Sequence, residues 1–217
     1  MKVISIAHKK GGVGKTTIAQ NLCTYLANNN KDFFAIDLDS QQQLSKFADS
    51  RKEAFGTSFE VAIPKDEDEL KTVLSSSLEE KKEYCVLDLG GYDSEISRTA
   101  LLLSDTIVVP LSNTANDLDG FGEFLYTLSS MLLENEEAKV LVVLNRIHHA
   151  DKKAKQRLKQ DIEDTNFLKN ITLCDTQIPA SKEVVNQLDT GKTPLDSKNF
   201  FGIGKIIEEF CTEVINA

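Results

Sequence analysis

"HKKGGVGKTT", residues His8 to Thr17, decides how this chain is read. The stretch follows a short apolar run, KVISIA at 2–7, and leads into a run with helical spacing. Strand, glycine-rich turn and helix in that order form the context in which a phosphate-binding loop is built. Gly11, Gly12, Val13 and Gly14 can turn backbone N–H groups onto an anion, and the helix start at Thr16 and Thr17 adds its dipole. Lys15 is placed to bridge the β- and γ-phosphates of a nucleotide, and the Thr16 hydroxyl to ligate Mg²⁺. The general pattern G-x-x-x-x-G-K-[ST] requires a glycine where Lys9 stands, so it fails. What fits is K-G-G-x-G-K-[ST], with Lys10 as its first residue.

Working outward, seven apolar runs read as strands: 2–7, 33–37, 58–63, 84–89, 106–111, 139–145 and 171–175. Several are nearly continuous in Val, Ile and Leu, as strands covered on both faces are. Helical stretches lie near 15–30, 41–54, 66–80, 93–104, 117–134, 151–165, 181–190 and 202–215. Such alternation predicts an α/β fold, a mostly parallel twisted sheet of about seven strands with helices on both faces. The chain of 217 residues has no Pro/Gly/Ser-rich linker or repeat, so residues 1–217 read as one domain. Too few residues precede the glycines to hold a helix-turn-helix. No run of about eighteen apolar residues occurs, so no membrane span is expected.

Twenty-five basic against 34 acidic residues give a net charge of −9, which makes the bulk surface a poor partner for nucleic acid or anionic lipid. Any such contact must come from a local basic patch. Cys23, Cys85, Cys174 and Cys211 are widely spaced among apolar neighbours and read as buried reduced thiols, pointing to a cytoplasmic protein.

Three further segments carry chemistry. AIDLDSQQQ closes the second strand with Asp37 and sets Asp39 two residues on; YCVLDLGG closes the fourth with Asp88. Asp37 and Asp88 are placed to reach Mg²⁺ through its water shell. VLNR ends the sixth strand at Asn145, whose amide can pair with an adenine edge, and the loop TQIPAS around Pro179 would cover the purine's other side. No N/T-K-x-D string for guanine occurs, which favours ATP over GTP.

Together these segments resemble the ParA/MinD family of ATPases with a deviant Walker A loop, closest to short partition ATPases without an N-terminal DNA-binding domain. The resemblance implies that Lys10 crosses a dimer interface to phosphates held by the other subunit. It also implies that Asp39 orients the attacking water, and that an asparagine at position 145 reads the base. The match is not complete. Ser40 replaces a proline, GGYDS has Tyr92 where some members carry arginine, and VPLSNTANDLD has Asn113 and Thr114 for Pro-Ser; Asp117 there reads as a helix cap.

No acceptor site for a phosphoryl group stands out, so the family's cycle implies a switch: ATP pairs two subunits and weak Mg-dependent hydrolysis releases them. The resemblance extends this to partition of DNA, with a ParB-like or other small stimulating partner and nucleoid association when ATP is bound. Lys152, Lys153, Lys155, Arg157 and Lys159 form a basic helix face suited to nonspecific double-stranded DNA. The segment FFGIGKIIEEFCTEVINA has an apolar face, yet Glu208, Glu209 and Glu213 on its polar side would be repelled by anionic lipid, so it should pack on the sheet. The alternative is a MinD-like ATPase that positions a protein complex. Iron–sulfur reductases of related fold need a surface cysteine pair, and ligases lack the leading lysine; neither pattern fits.

Overall fold

The computed structural model describes residues 1–91, 94–112, 121–147, 152–163, 170–182, 184, 189–197 and 202–217, with the side chains of 152–154, 157 and 161 outside that description. Tyr92, Asn113, Thr114 and Asp117 therefore lie outside the described residues, as do the side chains of Lys152, Lys153 and Arg157.

Among the described residues seven strands form one sheet: β1 (Lys2–Ile6), β2 (Phe33–Asp37), β3 (Val61–Ala62), β4 (Tyr84–Asp88), β5 (Thr106–Leu111), β6 (Lys139–Ile147) and β7 (Ile171–Pro179). Their order is β3-β2-β4-β1-β5-β6-β7, and every pairing is parallel. Parallel strands need crossovers, and the helices supply them. These are α1 (Lys15–Asn28), α2 (Gln43–Phe55), α3 (Glu67–Glu79), α4 (Glu95–Leu102), α5 (Phe121–Met131), α6 (Lys152–Glu163) and α7 (Ile203–Asn216).

Each sheet face has its own apolar layer. On one, Ile18 and Leu22 of α1, Leu44 of α2 and Ile207 and Phe210 of α7 pack on Ile4, Ile6 and Val143. On the other, Leu70, Leu101, Phe124 and Leu158 of α3 to α6 pack on Val3, Leu87 and Val142. Covering both faces explains why β5 is buried at all six positions. The apolar face of α7 is thus spent inside the fold, as its acidic polar side requires. Lys2 fixes its end by donating from Nζ to the Val214 and Ile215 carbonyls, 3.0 Å each, and Lys139 reaches that of Ala217. No helix among the described residues is long and apolar enough to cross a membrane.

Two strands depart from expectation. The 58–63 run pairs only at Val61 and Ala62, because β3 is an edge and has one neighbour. β7 does not stop at 175 but continues to Pro179, so TQIP is strand and not loop. Between Leu173 and Gln177 it makes extra residues against Val142–Leu144, and this bulge is caught from two sides. Glu213 of α7 accepts from the Asp175 and Thr176 N–H groups, both at 2.9 Å, and from the Thr176 hydroxyl. Lys155 of α6 donates to the Asp175 carbonyl at 2.8 Å.

A buried ion pair ties α2 to the segment before α7. Arg51 grips Asp196 with two bonds of 2.8 Å and also donates to the Gly191 carbonyl. Gly191, at φ 69°, lies so close that a Cβ there would sit 2.2 Å from the Arg51 nitrogen.

Candidate nucleotide-binding site

β1 ends at the centre of the sheet, beside the point where strand order reverses, and ligands of open α/β sheets bind at such carboxyl edges. The loop that follows is held open by left-handed turns at Gly12, φ 77°, and Gly14, φ 96°, the latter opening α1. Gly14 is needed twice over, since a Cβ there would also fall 2.4 Å from Asn145 Nδ2. Lys15 is buried and curls back so that Nζ donates to the Lys10 carbonyl at 3.2 Å. The ammonium thereby closes the hollow that the loop encircles. Burial lowers its pKa, and the carboxylates of Asp88 and Asp39 oppose that shift. His8, which the sequence did not single out, accepts the Lys10 N–H on Nδ1 at 2.9 Å and stacks on Phe124 of α5.

Sheet register brings the two strand-end aspartates together: Asp37 of β2 is paired with Asp88 of β4, and Asp88 with Ile6 of β1. In-register neighbours share a face, here the α1 face on which Ile6 packs, where Thr16 and Lys15 begin the helix. Asp88 is fully buried, and burial raises its pKa to about 7; Asp37 and Asp39 push the same way, while Thr16 and Lys15 pull it down. The Thr16 hydroxyl influences Asp88 without meeting full hydrogen-bond geometry, so both carboxyl oxygens lack a protein partner. A charged carboxylate left so is costly, and a cation beside it would offset that cost. The donor set of a hydroxyl and two carboxylates suits Mg²⁺, which keeps water and phosphate ligands in preference to an all-protein cage.

Asp37 is less free than expected for a metal partner. Its Oδ1 accepts from the Asp39 N–H at 3.1 Å and its Oδ2 from the Ser45 N–H at 3.0 Å. These bonds fasten the loop between β2 and α2, and burial, the larger influence, raises its pKa against them. Asp39 makes its own turn by accepting the Gln41 N–H at 2.9 Å. Gly90, two residues past the end of β4, lies directly against it: a Cβ on Gly90 would be 2.8 Å from the Asp39 Cα.

Across the loop from these carboxylates lies a cavity of about 670 Å³, lined by Thr17, Asn21, Asn145, Arg146, Pro179 and Phe210 among others. The volume is that of a nucleoside-sized pocket. Asn145 and Pro179, assigned to the base from sequence, both line it. Asn145 does not end its strand as expected, because β6 runs on to Ile147. It is buried, and one of its amide N–H groups is given to the Val13 carbonyl at 2.8 Å, so it braces the phosphate loop as well. The four cysteines are free and buried, and burial raises each thiol's pKa, that of Cys174 to about 12, so none offers a thiolate at the surface.

A glycine loop closed by a lysine, buried carboxylates beneath it and an apolar pocket beside it define a phosphate-loop nucleotide-binding domain. The chain belongs to the family described as "CobQ/CobB/MinD/ParA nucleotide binding domain", whose profile matches residues 4–195. Protein virC1 of Rhizobium radiobacter is 26% identical over 150 residues, 68% of this chain and 65% of that protein. The chain thus spans about two thirds of that relative's length. The fold is similar to that of the MinD cell division protein of Aquifex aeolicus, with a TM-score of 0.73 at 22% identity, covering 100% of this chain and 98% of that one. It is also similar to a putative plasmid partition protein of Borrelia burgdorferi bound to AMPPNP, with a TM-score of 0.68 at 19% identity over 98% and 99% of the two chains.

Proposed function

We propose that this chain is a ParA-like ATPase in which Mg·ATP pairs two copies face to face and slow hydrolysis releases them, the cycle serving DNA partition or segregation. The observation that carries this reading is the division of labour between the lysines. Lys15 already fills the loop hollow from within its own chain, closing on the Lys10 carbonyl. Lys10, one residue before Gly11, is the lysine left for phosphates held by a second copy in this reading. The AMPPNP-bound state of the plasmid partition relative supports ATP as the nucleotide.

In this reading Gly11 to Thr17 cradle the phosphates, and Thr16, Asp37 and Asp88 hold the metal shell. Mg²⁺ supplies charge neutralisation at the phosphate oxygens. Asp39, fixed by its turn and by Gly90, orients the water. Asn145 and Pro179 contact adenine. Nonspecific duplex DNA is assigned to α6, through Lys152, Lys153, Lys155, Arg157 and Lys159; Lys155 is partly committed to β7. A small ParB-like protein is the expected stimulator. The likeness to MinD favours one second reading, an ATPase that positions a protein complex.

Replacing Lys10 with alanine tests the pairing. Sedimentation with Mg·ATP should show a monomer, hydrolysis should be lost, and ATP affinity should stay within a few-fold of wild type. An equal loss of ATP binding would make Lys10 an ordinary ligand of its own chain's nucleotide and sink the proposal.

A further inference from the structure

Arg146 has no role in the reading above, yet its geometry is the least ordinary at the site. Asn145 pairs with Ile178 and Ile147 with Pro179, so Arg146 is the extra residue of a bulge in β6. Its backbone is left-handed, at φ 59°, a conformation that residues with side chains adopt sparingly and that clusters at functional sites. Bulges of this kind re-aim a side chain. Here the side chain is turned over the phosphate loop: one guanidinium N–H donates to the Gly12 carbonyl at 2.6 Å. The adjoining Asn145 donates to the next carbonyl, that of Val13. Two successive residues of β6 thus hold two successive carbonyls of the loop.

Peptide planarity gives this grip a consequence. In a trans peptide the N–H points opposite to the C=O. The Gly12 carbonyl belongs to the unit that carries the Val13 N–H, and the Val13 carbonyl to the unit that carries the Gly14 N–H. Drawing both carbonyls toward β6 turns both N–H groups away from it, in the concerted manner an anion nest requires. Arg146 also lines the base cavity with Asn145 and Pro179, so the same bulge belongs to both halves of the site.

We propose that Arg146 is a positioning residue for the nucleotide phosphates: through the Gly12 peptide it holds the loop in its anion-binding form and ties that form to the base pocket. This rests on the nucleotide reading above. Arg146 contacts no reacting atom; it acts through the loop.

The variant Arg146→Gly tests it, because glycine suits the left-handed backbone and only the side chain is removed. Affinities for Mg·ATP and Mg·ADP are measured by calorimetry, with kcat at saturating ATP and the melting temperature without nucleotide. Loss of one charge-assisted hydrogen bond predicts about tenfold weaker binding of both nucleotides. The melting temperature should not fall, and Arg146→Lys should recover part of the affinity. The loss should persist at about 0.5 M salt, where long-range charge is screened. Wild-type affinity in Arg146→Gly, a loss that vanishes in salt, or a fall in kcat at unchanged affinity would each overturn the proposal. A wild-type chain that binds neither nucleotide would instead refute the nucleotide reading, and this inference with it.

Discussion

Asp88 shows what single residues give up for this site. Its carboxyl group is fully buried with no hydrogen-bond partner on either oxygen, and its pKa is raised to about 7 by that burial. For an acid so raised, the folded state holds its proton between the unfolded value near 4 and about 7, while the unfolded chain has lost it. Stability therefore falls as pH rises through that window, and the full penalty stands above it. Asp88→Asn removes the charge, so at pH 8 the nucleotide-free variant should be more stable, by about 1–3 kcal/mol on this linkage. The same variant should gain little further stability from Mg·ATP, whereas wild type should gain several degrees. Thermal melts with and without Mg·ATP check both. The lysines, glycines and aspartates of this site were legible because each belongs to a contiguous string whose spacing has one mechanical meaning. Arg146 and His8 were not, since a bulge in β6 and a stack on Phe124 are set by distant partners.

Among elements, α2 is the most interesting, because it is fastened near both ends, to the strand just before it and to a segment far away in sequence. Its N-terminus hangs from Asp37 through the Ser45 N–H, and its third turn is gripped through Arg51 by Asp196. Burial alone would raise the pKa of Asp196, but the Arg51 bonds and the Thr193 N–H outweigh it and the net shift is downward. Such a group adds stability that is present above the unfolded pKa and lost as pH falls through the folded one. Asp196→Asn should destabilise the chain by roughly 2 kcal/mol at pH 7, short of the 3–5 kcal/mol typical of breaking a buried pair outright because its amide keeps one bond to Arg51. Urea titrations should show the gap between variant and wild type narrowing below pH 4. No pattern in the sequence links residues 51 and 196, whereas the helix itself follows from its apolar spacing. The same limit applies to β7: its last four residues, TQIP, carry turn chemistry, and it is pairing with β6, with Glu213 of α7 holding Thr176, that makes them a strand.

The whole molecule carries a net charge of −9, so the proposed contact with DNA would have to be local and weak. α6 buries Leu158 and Ile162 and leaves Lys159 exposed, as its spacing predicts. Lys155, however, is partly buried against β7, so it contributes to the fold as well as to the surface. Substituting Lys152, Lys153, Arg157 and Lys159 with glutamine should abolish ATP-dependent retention on duplex DNA while leaving ATP hydrolysis in place. The slope of log affinity against log salt for wild type should reflect about three or four phosphate contacts. Salt-insensitive retention by the variant would remove α6 from the DNA surface. The architecture was legible at this scale because alternation of buried strands and amphipathic helices leaves few topologies open.

The bare backbone of Gly90 against Asp39 bears on timing. Two loops from different strands meet there with no side chain between them, so the Asp39 carboxylate, proposed above to orient the water, takes its position from the loop after β4 as much as from its own turn. On the proposed cycle, a residue without chemistry of its own would then set how long an ATP-bound pair lasts. Gly90→Ala should act as a clock mutation: ATP is bound and pairs form, but the Asp39 carboxylate is displaced and the pairs outlive those of wild type about tenfold or more. Following pair dissociation by fluorescence after ATP is chased with ADP would read that lifetime directly.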